Sequence, residues 1–261
     1  MQVFGDDGAR IDVRVDGAGR DAVVLIHGFP LTRDIWDAQA ETLSRTHRVL
    51  RPDLRGMGAS SVPDGPYLME VLASDVAATL DALGIERAAI AGHSLGGYVA
   101  LAFARMYTER VTHLALVCSR IVADTPEIAK KRRETAEMLE RDGAMQRDMV
   151  SRLTSPETLS QHPQIADEAW ELARRIDPLG AASMLRGMAM RVSSEDIAAD
   201  LAVPVLVLAG AHDSVISMEE ARATAAAFPR GRLVVCRQSG HLPMLEEPAT
   251  VTQALEGWLA T

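Results

Sequence analysis

Residues 88–98 read Ala-Ala-Ile-Ala-Gly-His-Ser-Leu-Gly-Gly-Tyr, and these residues carry the strongest structural signal in the sequence. An apolar, strand-like run leads into Gly-x-Ser-x-Gly at 92–96 and then into a helical pattern at 95–106. A serine on a tight strand-to-helix turn needs glycine two residues before it and two residues after it, because larger neighbours would clash. The N-terminus of the helix also favours developing negative charge. The pattern predicts that Ser94 is a nucleophile.

Short apolar runs alternate with helical patterns along most of the chain. Continuous apolar runs are typical of strands that are buried on both faces of a parallel sheet. They occupy residues 22–26, 49–50, 88–91, 114–117, 205–208 and 233–235. Helices are predicted at 69–83, 95–106 and 218–228. An alternating run at 10–15 favours an antiparallel strand near one edge. Together these patterns predict an α/β fold with a mostly parallel sheet and flanking helices.

The alternation stops between residues 124 and 199, where the chain is helical and has no strand-like run. This segment is too long to be a loop. We therefore predict a core formed by 1–123 and 200–261, and a helical cap formed by the insertion 124–199. Methionine fills irregular apolar space, so methionines here suit either an ordinary small core or a deformable wall over a substrate pocket. The cap holds Met138, Met145, Met149, Met184, Met188 and Met190.

Further motifs resemble the α/β-hydrolase superfamily, and the resemblance extends along nearly the whole chain. His-Gly-Phe-Pro at 27–30 follows a strand, and Asp-Leu-Arg-Gly-Met-Gly-Ala-Ser at 53–60 is similar to the family pattern D-x-R-G-x-G-x-S. The resemblance implies an oxyanion hole made by the backbone N–H groups of Phe29 and Leu95. We interpret Asp53 and Arg55 as residues that shape their loop.

The resemblance also implies an acid and a base. The strand at 205–208 leads to Ala-Gly-Ala-His-Asp, similar to the family pattern strand-G-x-x-D, which assigns the acid to Asp213. Some relatives place the acid after the preceding strand, where this chain has Cys-Ser-Arg at 118–120 and Asp124 as the only nearby carboxylate. The family places its histidine on the loop that contains Ser-Gly-His-Leu-Pro-Met at 239–244, which assigns the base to His241. The order Ser, Asp, His is the one this fold requires.

These assignments imply a serine hydrolase that cleaves small-to-medium carboxylic esters through an acyl-enzyme on Ser94. One alternative is a 3-oxoadipate enol-lactonase-like hydrolase, which Met-Leu-Arg-Gly-Met-Ala-Met-Arg at 184–191 resembles. The carboxylate of its substrate would need a cation, for which Arg120, Arg186 and Arg191 are candidates. Another alternative is a cofactor-free haloperoxidase-like perhydrolase with the same triad. The Met- and Ala-rich insertion favours an apolar ester.

Other relatives fit less well. Haloalkane dehalogenases and epoxide hydrolases resemble this chain but use aspartate as nucleophile. Hydrolases that cleave C–C bonds of dienoic diketones usually carry a longer Gly-rich turn than the one at 27–30. Some members of the fold are ligand receptors or scaffolds, and the intact triad and oxyanion turns favour an enzyme instead.

Composition sets the expected partners. The formal net charge is −9, and a nucleic-acid surface needs clustered Lys and Arg, so we expect no nucleic-acid partner. The basic run Lys130–Arg133 is followed by glutamates at helical spacing, which is typical of a solvated face. The expected partner is a small-molecule ester or lactone. No pattern in the sequence indicates an oligomeric state.

The sequence also bounds cofactors and location. No H-E-x-x-H, G-x-G-x-x-G or Walker pattern is present, so neither a metal nor a nucleotide cofactor is expected. Cys118 and Cys236 form no disulfide framework. Apolar runs fall far short of the ~18 residues of a membrane span, and the N-terminus has no signal-like apolar region. We therefore expect no membrane partner and a cytoplasmic location.

Overall fold

An eight-stranded sheet forms the centre of the computed structural model, which describes all residues from Met1 to Thr261. The strands are β1 (Gln2–Phe4), β2 (Arg10–Asp16), β3 (Ala22–Ile26), β4 (Arg48–Pro52), β5 (Ala88–His93), β6 (Val111–Val117), β7 (Val205–Gly210) and β8 (Gly231–Cys236). Their order in the sheet is β1-β2-β4-β3-β5-β6-β7-β8. The pairs β1–β2 and β2–β4 are antiparallel, and all other neighbouring pairs are parallel.

Helices cover both faces of this sheet and fill the long insertion. They are α1 (Asp37–Leu43), α2 (Met69–Ala82), α3 (Leu95–Met106), α4 (Pro126–Asp142), α5 (Arg147–Ser151), α6 (Pro156–Gln161), α7 (Pro163–Ala173), α8 (Pro178–Ala189), α9 (Glu195–Ala198), α10 (Met218–Ala226), α11 (Pro243–Glu246) and α12 (Pro248–Leu259). Two short 3-10 helices span Arg33–Trp36 and Thr108–Arg110. No helix combines the length and the apolar character that crossing a membrane requires.

Two hydrophobic layers explain why the strands are continuous apolar runs. Successive side chains of a strand point to opposite faces of the sheet, so both faces of a central strand need apolar residues. In β3, Val23 and Leu25 belong to one layer, which includes Trp258 of α12. Val24 and Ile26 belong to the other layer, which includes residues of α2 and α3. The predicted α/β-hydrolase architecture, with a mostly parallel sheet and flanking helices, is confirmed.

The ends of some elements differ from those that the sequence predicts. β1 is an additional strand at one edge of the sheet. It has three residues, of which only Val3 is buried, so it gives almost no hydrophobic pattern in the sequence. β6 begins at Val111, three residues before the predicted apolar run, because Thr112 and His113 lie within the strand. The imidazole of His113 meets the ring of Trp258 edge-on at 5.6 Å between centroids, so a polar residue is accommodated there.

The segment 124–199 contains α4 to α9 and no strand. Its helices α4 and α8 pack against each other, and their apolar residues join the hydrophobic layer that includes α2 and α3. The methionines differ in their surroundings: Met184 and Met188 are fully buried, whereas Met190 is 58% exposed. The division into a core and a cap stays a prediction, and we use the word cap for residues 124–199.

Candidate active site

Ser94 stands on a tight turn between β5 and α3. Its backbone has φ 50° and ψ −112°, a left-handed conformation that residues with a side chain rarely adopt. Glycine is needed on both sides, because a Cβ on Gly92 would overlap the backbone of Gly96, and a Cβ on Gly96 would overlap the carbonyl of Ile26. The Ser94 N–H donates to the Val117 carbonyl of β6 at 2.8 Å, which holds the turn on the sheet.

The three residues predicted as a triad meet at the carboxyl ends of the parallel strands. His241 Nε2 lies 2.9 Å from Ser94 Oγ, and His241 Nδ1 lies 2.8 Å from Asp213 Oδ2. Because the carboxylate can only accept, Nδ1 carries the proton, and Nε2 accepts from the Ser94 hydroxyl. The side chains of His241 and Asp213 are 2% and 1% exposed. The structure therefore brings the three predicted residues into one hydrogen-bonded line.

Asp213 is held in its ionised form. Its second oxygen, Oδ1, accepts hydrogen bonds from Val215 N at 2.7 Å and Ile216 N at 3.1 Å. Burial raises the pKa of this carboxyl group, but the charge of His241 and the hydrogen bonds from His241 and the two backbone N–H groups outweigh it, so the net pKa is lowered. Asp213 is thus an acceptor that fixes the imidazole tautomer rather than a proton donor.

His93, the variable residue of the serine turn, contacts the backbone of His241. Its Nε2 donates to the backbone carbonyl of His241 at 2.7 Å, while its Nδ1 is buried without a partner and faces Gly28. Burial, followed by the nearby His241, lowers the pKa of His93 to about 3. His93 is therefore neutral at ordinary pH and takes no part in proton transfer to Ser94.

The turn at 27–30 lies beside the serine turn. His27 Nε2 accepts from the Leu54 N–H at 3.0 Å, and its Nδ1 donates to the Gly28 carbonyl at 3.0 Å, so the ring braces the turn. Burial lowers the pKa of His27, which keeps it neutral. The N–H groups of Phe29 and Leu95, which we predict to form the oxyanion hole, donate to no other group of the chain.

Asp53 and Arg55 lie outside the triad and hold the loop that follows β4. The two oxygens of Asp53 accept from Arg33 N and Ala59 N, each at 2.9 Å. Arg55 makes two hydrogen bonds of 2.7 Å to the buried carboxylate of Asp75. Both residues shape the loop and contact no member of the triad.

Cys118 and Asp124, the residues near the alternative acid position, have different surroundings. Cys118 is buried at the end of β6 with φ 47°, and burial raises the pKa of its thiol well above the ordinary value. Cys118, Asp213 and His241 each have one potential ligand atom within 4.8 Å of the other two. No other three residues among the His, Cys, Asp and Glu side chains bring their ligand atoms this close together. Because the thiol stays protonated and the other two residues bind each other, this geometry favours a hydrogen-bonded triad over a metal centre. Asp124 binds arginines instead of His241.

Comparison with known proteins gives the same fold and family. Residues 23–254 match the family described as the alpha/beta hydrolase family. The chain belongs to this family. A solved thermophilic esterase from Thermogutta terrifontis, with malate bound, is 38% identical; the match covers 100% of this chain and 97% of the esterase, with a TM-score of 0.96.

Enol-lactonases are also similar to this alpha/beta hydrolase. The solved enol-lactonase from Burkholderia xenovorans LB400 is 25% identical, with 100% of both chains covered and a TM-score of 0.90. 3-Oxoadipate enol-lactonase 2 from Acinetobacter baylyi is 26% identical over 245 residues, which cover 92% of this chain and 88% of the relative. The relatives act on small molecules, and they support a hydrolase activity from the esterase and enol-lactonase branch of the family.

Some residues at the site have no signature in the sequence. Ser119 Oγ donates to the Ser94 carbonyl at 2.8 Å, and the Leu153 carbonyl accepts from the His241 N–H at 2.7 Å. Both contacts join residues far apart in the chain. Ser119 follows a strand end, as the predicted catalytic residues do, which is the one signal that could have identified it. Leu153 contributes only its backbone, so no residue type could reveal it.

Proposed function

We propose that this alpha/beta hydrolase cleaves small-to-medium, uncharged carboxylic esters through an acyl-enzyme on Ser94. The observation that carries the proposal is the line Ser94 Oγ, His241 Nε2, His241 Nδ1, Asp213 Oδ2, with hydrogen bonds of 2.9 and 2.8 Å at its two ends. A serine hydroxyl is a weak nucleophile until a neighbouring base removes its proton. This geometry supports His241 as that base, in the tautomer that the step requires.

The reaction begins when Ser94 Oγ attacks the ester carbonyl carbon and its proton passes to His241 Nε2. Asp213 stabilises the imidazolium that forms, without taking the proton. His241 then protonates the leaving alkoxide, the C–O bond breaks, and the acyl group remains on Ser94. In the second half, His241 removes a proton from water, the hydroxide attacks the acyl carbon, and the proton returns to Ser94 Oγ as the acid leaves.

Negative charge develops on the carbonyl oxygen in both halves. The N–H groups of Phe29 and Leu95 have no acceptor within the chain, so they are free to donate to that oxygen. A donor of this kind is worth about 3 kcal/mol of transition-state stabilisation. Leu95 also begins α3, so the positive end of the helix dipole adds to the same field.

The surroundings of the three candidate arginines, Arg120, Arg186 and Arg191, favour an uncharged substrate over a carboxylate-bearing lactone. All three candidate cations already have carboxylate partners. Arg120 binds Glu220 at 2.6 Å and Asp124 at 3.0 Å. Arg191 binds Asp124 at 3.3 Å and lies over the Tyr98 ring at 3.8 Å.

Arg186, the third candidate, forms an ion pair with Glu140 at the surface of the cap. A substrate carboxylate would therefore compete with the carboxylate that each of the three arginines already contacts. Because enol-lactonases are among the relatives, a lactone is the second candidate substrate.

Rates on p-nitrophenyl esters from acetate to decanoate, measured beside 3-oxoadipate enol-lactone, test the proposal. We expect kcat/KM to be highest on a short or medium ester, with little turnover of the lactone. A rate on the lactone far above that on every ester would overturn the ester assignment and make the arginines the carboxylate site.

A further inference from the structure

The carboxylate of Glu246, at the end of α11, joins two separate parts of the molecule. Its Oε1 accepts from Gly240 N at 3.0 Å and from Leu242 N at 3.2 Å. Its Oε2 accepts from Ser155 N and from Thr158 Oγ1, each at 2.8 Å. One oxygen therefore accepts hydrogen bonds from the loop on both sides of His241, and the other oxygen accepts hydrogen bonds from the cap.

The backbone of His241 is held between the cap and the serine turn. Its N–H donates to the Leu153 carbonyl of the cap at 2.7 Å, and its carbonyl accepts from His93 Nε2 at 2.7 Å. The preceding residue, Gly240, lies directly against the cap backbone, because an added Cβ would stand 2.7 Å from Ser155 N and 2.8 Å from Thr154 C. The position of the base thus depends on the cap as well as on the core.

Only a carboxylate satisfies these four partners. Three are backbone N–H groups, and Thr158 Oγ1 donates to Glu246 while it accepts from Ser155 Oγ at 2.9 Å. Glutamine in this position would turn its NH2 group toward either the histidine loop or the cap, and would leave at least one buried backbone N–H without an acceptor.

We propose that Glu246 is a positioning residue that couples the cap to the catalytic base, setting where His241 stands between Ser94 and Asp213. The proposal rests on the proposed function of the triad. A catalytic group must be held within about 0.5 Å of its working position, and a misplacement of about 1 Å costs on the order of 100-fold in rate. A shift of the segment 153–158, such as a substrate seated under the cap would cause, moves Glu246 and His241 together.

The test compares Glu246→Gln and Thr158→Val with two controls. Glu256→Gln removes a charge from an exposed position of α12, and Thr135→Val makes the same change as Thr158→Val elsewhere in the cap. For each variant, kcat, KM and the pH dependence of kcat/KM are measured on p-nitrophenyl butyrate. The His241 Nδ1 proton of the resting enzyme is followed by its low-field NMR signal, and the thermal midpoint by circular dichroism.

Glu246→Gln is expected to lower kcat about 10- to 100-fold with little change in KM. The acid limb of the pH profile should move to lower pH, because a displaced imidazolium is less well stabilised by the Asp213 carboxylate. The titratable groups that face His241 are Asp213, His93 and Cys118, and none of them is altered by the substitution. The low-field signal should broaden or disappear.

Thr158→Val should change the same properties in the same direction by less, and both controls should match wild type. The proposal is overturned if either test variant keeps the wild-type kcat, pH profile and low-field signal, even with a lower thermal midpoint. If Glu246→Gln fails to fold, the kinetics and NMR signal of Thr158→Val alone decide between the two results. If wild type hydrolyses no ester, the ester proposal fails, while the NMR comparison still decides whether Glu246 positions the base.

Discussion

The imidazole of His241 has to accept a proton at one nitrogen while the other nitrogen is fixed by Asp213. The hydrogen bond of 2.8 Å from Nδ1 to Oδ2 selects that tautomer. An amide at position 213 could present its NH2 group to Nδ1, which would place the imidazole proton on Nε2, where it blocks acceptance from Ser94.

We therefore expect Asp213→Asn to lower kcat by about 10³- to 10⁴-fold on a p-nitrophenyl ester, with the fold retained. Steady-state kinetics and a circular dichroism spectrum measure the two properties. Asp64→Asn, at an exposed position without hydrogen-bond partners, serves as the matched control. A loss of less than 10-fold in Asp213→Asn would mean that another group orients His241.

The buried histidines link stability to pH. Burial lowers the pKa of His93 to about 3, whereas an unfolded histidine titrates near 6.5. Between these values the unfolded chain binds more protons, so the stabilisation is fully present above pH 6.5 and is lost as the pH falls. One such group contributes a slope of about 1.4 kcal/mol per pH unit, and His27, whose pKa is also lowered, adds to it.

Urea unfolding between pH 7 and 4.5 measures this slope before most carboxylates titrate. His93→Gln should make the dependence shallower by about 1.4 kcal/mol per pH unit. Parallel curves for wild type and His93→Gln would show that the pKa of His93 is the same in the folded and unfolded chains, which would contradict the lowered pKa.

The residues of the triad could be predicted because each lies in its own short motif after a strand, and a motif is local. The contacts that position them could not be predicted. Glu246 binds Ser155 across 91 residues of sequence, and Arg191 binds Asp124 across 67, so neither contact leaves a local pattern. The sequence offered Arg120, Arg186 and Arg191 as candidate cations, and the structure shows the carboxylate partners of each.

Among the elements, the link between cap and core depends on a buried ion cluster. Asp124 lies at the start of the cap with a side chain that is 2% exposed, and it binds Arg120, Arg132 and Arg191. Arg120 belongs to the loop after β6, and Arg191 follows α8, so the cluster joins both ends of the insertion to the core. Loss of Asp124 would remove the carboxylate that these three arginines share.

Asp124→Asn should therefore lower the free energy of unfolding by about 3 kcal/mol or more. Chemical denaturation measures the change. Asp142→Asn removes a carboxylate from the exposed end of α4, where it pairs only with Arg141, and should have little effect on the free energy of unfolding. Equal effects of the two substitutions would contradict the structural role of the cluster.

The strands with continuous apolar runs and the alternating strand β2 were predicted, whereas short or polar stretches of strand were missed. β3 and β5 are buried at every position, so their apolar runs and their bounds agree closely with the prediction. β1 pairs along one edge through three residues, and β6 contains the polar residues Thr112 and His113, so the membership of these residues in the sheet depends on neighbouring strands. The order of the strands is likewise set by pairings between distant segments.

For the whole molecule, the net charge of −9 bears on the choice of substrate. A negative surface repels an anionic substrate, and salt screens that repulsion. The rate on a neutral ester, p-nitrophenyl butyrate, should change little between 10 and 500 mM NaCl. The rate on mono-p-nitrophenyl succinate, which carries a carboxylate, should rise with salt. A rate on the succinate ester that falls with salt would indicate a free cation at the site and favour the lactone.

The most direct measurement is covalent labelling of the nucleophile with diethyl p-nitrophenyl phosphate, followed by intact mass and peptide mapping. Trypsin cleaves after Arg87 and after Arg105, and therefore releases Ser94 in the peptide 88–105. We predict one diethylphosphoryl group per chain, located in that peptide, with ester hydrolysis lost in proportion to labelling. Ser94→Ala should take up no label and should lose at least about 10³-fold in kcat. Ester turnover near the wild-type rate in Ser94→Ala, or inactivation through a label on another residue, would contradict Ser94 as the nucleophile.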